Sequence, residues 1–172
     1  MGELSLIVAV SNDGVIGFEN KIPWHLSSDL KFFREKTGCC PMIMGRKTFE
    51  SLPFVLPHRR HLVLTKEIGR VHPNTLVSFH SSFEEALSEA KKIPNEQGEI
   101  FVIGGETVYQ TALKSCDRIY LTRILHPTED YKGDAFFVIP DEIGCLFETE
   151  TLNQPTTEPD GILWDRLLLT RV

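Results

Sequence analysis

Apolar residues along the chain fall into short continuous runs, separated by turns rich in Gly, Pro, Asn and Asp. The run at residues 4–10, LSLIVAV, predicts a central strand buried on both faces. SNDGVIGFENKIPW after it reads as a long loop, a kind of segment that often carries function. Ser27 is placed to cap a helix running to about Lys36, where Thr37-Gly38 stops it, with Leu26, Leu30 and Phe33 on one apolar stripe and Phe32 beside it. Residues 42–44 predict a short buried strand, Gly45 a turn, 46–52 a short helix, and 61–65 and 76–79 two further strands. Ser82-Phe83-Glu84-Glu85 is a capping box opening the helix FEEALSEAKKI. Strand 100–103, the turn Gly104-Gly105, helix 106–113 and strand 118–124 follow, and 147–152 with 162–171 read as an antiparallel hairpin closed by NQPTTEPDG. The alternation predicts an α/β fold: a single domain over 1–172 with a mixed, mostly parallel central sheet flanked by helices and ending in that hairpin.

Composition narrows the function. Of 172 residues 41% are hydrophobic, enough for a real core, yet no apolar run is long enough to cross a membrane. A net charge of -6 argues against nonspecific nucleic-acid binding, which rests on clustered Lys and Arg. MGELSLIVAV carries an acid near its start and passes directly into a strand, so a cytosolic protein is expected. Cys39, Cys40, Cys116 and Cys145 have no zinc-like spacing and read as free, mostly buried thiols. His58 and His61 have an HxxH look, but a strand begins at His61 and the rings are expected to diverge, so no metal site is expected.

The candidate chemistry gathers in three places. Asp29 lies in the first turn of an apolar-faced helix just after Pro23-Trp24; a carboxylate there is favourable with the helix dipole, but near a core it is also paired or reserved for a ligand. MIMGRKTFESL and IFVIGGETVYQTAL share one plan of strand, glycine turn and helix, which exposes backbone N–H groups to an anion. Such turns also occur for purely structural reasons, and neither stretch is a GxGxxG fingerprint or a P-loop. Arg46-Lys47 and Thr65-Lys66 would share the carboxyl edge of a parallel sheet, either as a nest for a terminal phosphate or as solvated surface clusters.

Taken in order, LIVAVSNDGVIG, NKIPWHL, SSDLKFF, MIMGRKTFESL, LPHR, VIGGETVY, IYLTRI and GDAFF resemble the dihydrofolate reductase family along essentially the whole chain. The resemblance implies NADPH-dependent reduction of 7,8-dihydrofolate to tetrahydrofolate for one-carbon metabolism, with hydride passing from C4 of NADPH to C6 of the pterin and a proton to N5. Asp29 would accept from the 2-amino group and adjacent ring nitrogen of the pterin with its two oxygens. It lies too far along the ring to reach N5, so proton delivery would run through water. By the same resemblance Trp24 would support the site and hold that water, and Ile22 would close over the nicotinamide. Ile7, Ala9, Leu30, Phe33, Leu52, Leu56 and Ile103 would form apolar walls, Thr122 would hydrogen-bond Asp29, and Arg59 would clamp the substrate's α-carboxylate with its planar fork.

For the cofactor, the resemblance implies Ala9, Ile16, Gly17, Asn20 and Lys21 beside the nicotinamide and ribose. Gly45, Arg46, Lys47, Thr48, Thr65 and Lys66 would serve the adenosine side with its 2′-phosphate, and Gly104, Gly105, Glu106, Thr107, Val108 and Tyr109 the pyrophosphate. A monomer that binds antifolate inhibitors, with no membrane or nucleic-acid partner, is also implied. Three places depart from the family pattern: Pro53-Phe54-Val55 with His58 replace a more glycine-containing approach to Arg59, Glu106-Thr107 stand where glycine or a basic residue is frequent, and Ala135 replaces a usual threonine. Two alternatives remain at this point. A reductase of riboflavin synthesis would share VIGG without needing Asp29, and a noncatalytic folate or nucleotide binder would bind without turnover.

Overall fold

A computed structural model describes residues 2–126 and 131–172. Its frame is an eight-stranded sheet in the order β5-β4-β3-β6-β1-β7-β10-β9, built from β1 (Glu3–Ser11), β3 (Met42–Gly45), β4 (His61–Leu64), β5 (Val77–His80), β6 (Glu99–Val102), β7 (Arg118–His126), β9 (Phe147–Thr157) and β10 (Leu163–Arg171). The six strands from β5 to β7 pair in parallel, and β10 runs antiparallel to both β7 and β9. That is the mixed α/β sheet with a C-terminal hairpin that the alternation predicts.

Strand periodicity divides the core into two layers. Leu4, Leu6, Val8 and Val10 of β1 point to one face, where α3 (Phe83–Lys91) supplies Ala86 and Ala90 and α4 (Glu106–Leu113) supplies Val108 and Ala112. Ile7 points to the other face with Met42, Met44, Phe101 and Tyr120, and is covered by Phe32 and Phe33 of α1 (Ser27–Thr37) and Phe49 of α2 (Arg46–Ser51). The whole of β3 from Met42 to Met44 is buried, as a strand covered on both sides requires.

Several local expectations are corrected. Ser27 is the first helical residue of α1 and Leu26 the N-cap, because the Ser27 hydroxyl engages the His25 ring at 3.1 Å instead of a helix N–H. The apolar stripe of α1 is broken: Leu26 is buried with Trp24 and Trp164, whereas Leu30 is 47% exposed. Ser82 caps α3 by accepting from Glu85 N at 3.1 Å, but the Glu85 carboxylate reaches back to Ser81 rather than Ser82. The hairpin's first strand is longer than expected, since β9 continues to Thr157 along the sheet edge, and Pro155 falls where the register with β10 shifts, between Asn153 and Thr156.

The loop after β1 is more ordered than its composition suggests. Within it β2 (Val15–Gly17) pairs with β8 (Ala135–Phe136), and Phe18 and Lys21 exchange backbone bonds of 2.8 and 3.0 Å around Glu19 and Asn20, both at positive φ. Asp134 fastens the turn, its carboxylate accepting from Glu19 N and its N–H donating to Gly17 O, each at 3.0 Å. The short β8 and α5 (Asp141–Gly144) are too brief to have produced a periodic signal.

Candidate active site

Helix α1 is the spine of the site. Its first turn sets Asp29 over a row of cross-strand partners, Ala9 of β1, Thr122 of β7 and Arg166 of β10, which are in register. Thr122 Oγ1 donates to Asp29 Oδ1 at 2.6 Å, as the sequence resemblance implied. Arg166, which the sequence reading did not single out, donates through Nη2 to the same oxygen at 2.9 Å and through Nε to Thr122 Oγ1 at 3.0 Å. Its guanidinium lies 3.8 Å from the Phe32 ring centroid and 4.8 Å from that of Trp164. The sequence did hold a signal for it: Asp165-Arg166 is a charged pair inside an apolar strand, and both residues are buried, Asp165 on Arg123 and Arg166 on Asp29.

The last turn of α1 receives Arg59. Its Nη1 donates to Thr37 Oγ1 at 2.7 Å and its Nε to Pro57 O at 3.0 Å. The residue is 7% exposed, and no ion pair among the described residues involves it. Burial draws this guanidinium below its ordinary value, yet it remains a cation that meets only neutral oxygens. From residue 29 to residue 37 the helix axis advances about 12 Å. The site thus has a carboxylate at one end and an uncompensated cation at the other.

His61, read in sequence as half of an HxxH pair, is a strut beneath that cation. Its Nδ1 donates to Arg59 O at 3.0 Å and its Nε2 accepts from Leu56 N at 3.1 Å, while His58 is exposed. Among the described residues no cluster suited to a metal ion occurs. Ile7, Phe33, Leu52, Leu56 and Ile103 belong to one apolar group, and Ala9 packs with Trp24 and Ile124. Trp24 is buried edge-on against Tyr131, whereas Ile22 is 56% exposed. Of the four thiols only Cys40 and Cys116 are buried, and burial pushes each up to about 11.

The two glycine turns meet because β3 and β6 are adjacent and parallel. Gly45 N donates to Gly104 O at 2.9 Å, and a Cβ on Gly104 or Gly105 would stand 3.4 or 3.5 Å from Thr48 Oγ1. Gly104 has φ +128, a conformation open to glycine. Tyr109 is buried and ties this corner to β1, its hydroxyl donating to Ile7 O at 2.7 Å; burial raises its phenol. Val108 is also buried, while Glu106 is half-buried and Thr107 exposed. Lys47 and Lys66 are exposed, but Arg46 is engaged by Glu50 at 2.9 and 3.0 Å, and Thr65 Oγ1 accepts from Glu67 N. In the loop after β1, Ile16 and Gly17 are half-buried and Asn20 and Lys21 exposed.

Backbone N–H groups at paired helix starts, beside a carboxylate over an apolar floor, define a nucleotide-dependent α/β enzyme for a small heterocycle. A family model described as dihydrofolate reductase matches residues 3–154. Dihydrofolate reductase type 9 of Escherichia coli is 44% identical over 137 residues, covering 78% of this chain and 77% of that one. The dihydrofolate reductase of Haemophilus influenzae is 40% identical over 133 residues, covering 77% of each. Among solved structures, that of dihydrofolate reductase from Enterococcus faecalis complexed with NADP(H) and RAB-propyl matches with a TM-score of 0.82 and 35% identity, over 99% of this chain and 96% of that one. The chain belongs to the dihydrofolate reductase family.

Proposed function

We propose that the protein reduces 7,8-dihydrofolate to tetrahydrofolate with NADPH, with Asp29 orienting the pterin and Arg59 holding the substrate's α-carboxylate. The observation that carries this reading is the pair of charges at the two ends of α1. A ligand with hydrogen-bond donors on a flat ring at one end and a carboxylate at the other engages both. Asp29, already paired with Arg166, keeps Oδ2 open to the donors. Arg59, a buried cation with neutral partners, gains the counter-charge whose lack costs several kcal/mol, as an order of magnitude.

The corner formed by Gly45, Gly104 and Gly105 suits a dinucleotide, because its floor is backbone at two helix starts and side chains there would narrow it. Gly104 to Tyr109 would hold the pyrophosphate, and Arg46, Lys47, Thr48, Thr65 and Lys66 the adenosine side. Ala9, Ile16, Gly17, Asn20 and Lys21 would border the nicotinamide and ribose. NADPH supplies the hydride when bound.

The chain's own residues bind, orient and exclude water. Asp29 holds the pyrimidinone edge through the pterin's N–H donors, and the apolar side chains Ile7, Ala9, Leu30, Phe33, Leu52, Leu56 and Ile103 keep the ring in a dry, fixed plane. Trp24 anchors the loop and Ile22 covers the reacting face. A negative charge fixed near the ring favours the protonated N5 that hydride acceptance requires. One sheet drawing on both ends of the chain supports a single domain over 1–172. A cytosolic monomer with antifolates as ligands of the same site completes the reading, and sedimentation checks the oligomeric state.

Loss of reduced-nicotinamide absorbance with NADPH and dihydrofolate, run beside Asp29→Asn, is the test. The parent should oxidise NADPH and the variant should lose about 10²-fold or more of the rate. Binding of both ligands without turnover by the parent would make the protein a folate and nucleotide binder instead.

A further inference from the structure

The resemblance implies that both oxygens of Asp29 accept from the pterin, but one of them is already engaged within the protein. Asp29 Oδ1 accepts from Thr122 Oγ1 at 2.6 Å and Arg166 Nη2 at 2.9 Å, which fills the two lone-pair directions of that oxygen, while Oδ2 accepts from no group among the described residues. The Arg166 side chain is 7% exposed and that of Asp29 23%. Three contacts fix the guanidinium: Nε on Thr122, and the rings of Phe32 and Trp164 within 3.8 and 4.8 Å. The site therefore offers a ligand one open oxygen of a carboxylate whose charge is already countered.

We propose that Arg166 is a specificity-determining, positioning residue of this site, acting through Asp29 so that neutral pyrimidinone rings are favoured over cationic diaminopyrimidine rings. The proposal rests on the dihydrofolate reading of the preceding section. A 2-amino-4-oxo ring carries an N–H beside its amino group while neutral, so it can donate two hydrogen bonds to a carboxylate without bringing charge. A 2,4-diaminopyrimidine has a bare ring nitrogen beside its amino group and gains the second donor only by protonation. It must therefore bind as a cation, and its affinity depends on the full charge of the carboxylate. A fixed guanidinium at 2.9 Å cancels much of that attraction and adds repulsion a few ångströms further on. The neutral ring loses far less, since its bonds to Asp29 are dipolar.

The test measures dissociation constants, in the presence of NADP⁺ and at one pH, for dihydrofolate and for a 5-substituted 2,4-diaminopyrimidine. The unsubstituted protein, Arg166→Met and Arg166→Lys are compared. Arg166→Met should tighten the diaminopyrimidine relative to dihydrofolate by about tenfold or more, the size expected for a charge several ångströms away near a protein surface. Arg166→Lys, which keeps the charge, should hold the ratio near that of the parent. An unchanged ratio in Arg166→Met, whether both affinities stay or both fall together, overturns the proposal and leaves Arg166 a structural residue. If Arg166→Met does not fold, Arg166→Gln, which keeps a donor for Thr122 without the charge, reads the same ratio. Turnover of dihydrofolate by the unsubstituted protein tests the reductase reading separately, so the two can fail independently.

Discussion

Two buried arginines sit at opposite ends of helix α1, and they differ in what balances them. Arg166 lies against Asp29 and Thr122 and close to two aromatic rings, so its charge is balanced within the protein. Arg59 is equally buried but donates to a hydroxyl and two carbonyls, with no ion pair to a carboxylate among the described residues. A desolvated cation with neutral partners carries an unmet electrostatic demand, whereas one in an ion pair has spent it. The comparison separates an arginine that waits for a ligand from one that shapes another residue's charge.

Arg59→Lys breaks the comparison most strongly. An ammonium keeps the charge but cannot present the planar fork that grips a carboxylate through two parallel bonds. We expect KM for dihydrofolate to rise by roughly 10- to 100-fold with a much smaller change in kcat, the worth of a charge-assisted hydrogen bond in binding. Steady-state kinetics over a range of dihydrofolate concentrations reads this. An equal loss in kcat and kcat/KM would mean that Arg59 acts in the chemical step.

The strut under Arg59 comes next. His61 is held neutral by its burial, which lowers its pKa from the ordinary value near 6.5. The unfolded chain therefore binds a proton more readily than the folded one at mildly acidic pH. The stability this provides is complete above about pH 6.5 and is lost as pH falls towards the folded-state value. His61→Gln should destabilise the fold by about 1 to 3 kcal/mol, since it disturbs the partner of a part-buried Leu56 N–H, and should flatten that acid limb in thermal melts taken across pH.

The contrast between the arginines also marks where the sequence was legible. Sheet composition and the hairpin followed from apolar runs and turn residues, because those are local signals. Asp29 and Arg59 were found through motifs, and the glycine turns through the shared strand-turn-helix plan. Arg166 was missed because its partner lies 137 positions away and is brought near only by the β7–β10 pairing. For His61 the sequence goes no further than setting aside a metal shared with His58, because its partners are backbone groups that no residue pattern specifies. Periodicity puts Leu30 on an apolar stripe with Leu26, yet it is half exposed, because helical spacing alone does not tell a packed face from one left open.

His58 sharpens the comparison from the backbone side. It precedes Arg59 by one residue and has φ 64, a left-handed conformation that costs a residue with a Cβ about 1 kcal/mol and costs glycine almost nothing. His58→Gly should relieve that strain at the cost of a more flexible unfolded chain, giving a net gain of less than about 1 kcal/mol in thermal melts. KM for dihydrofolate should be unchanged, since the ring is exposed and Arg59 keeps its own bonds. A rise in KM would show that His58 helps to shape the carboxylate end.

The exposed cations at the adenosine side complete the series. Lys47 and Lys66 stand in solvent, and neither joins an ion pair among the described residues, so they are unbalanced like Arg59 but without its desolvation. Water already solvates them well, and a phosphate gains only a screened attraction. Lys47→Gln and Lys66→Gln should each raise KM for NADPH a few-fold at low ionic strength, and the difference from the parent should shrink as salt is added. The Arg59→Lys effect on dihydrofolate should persist through the same salt series, because a buried pair is screened much less. If both effects faded together, the carboxylate end would be governed by solvent-exposed charge as well, and the distinction drawn from Arg59's burial would fail.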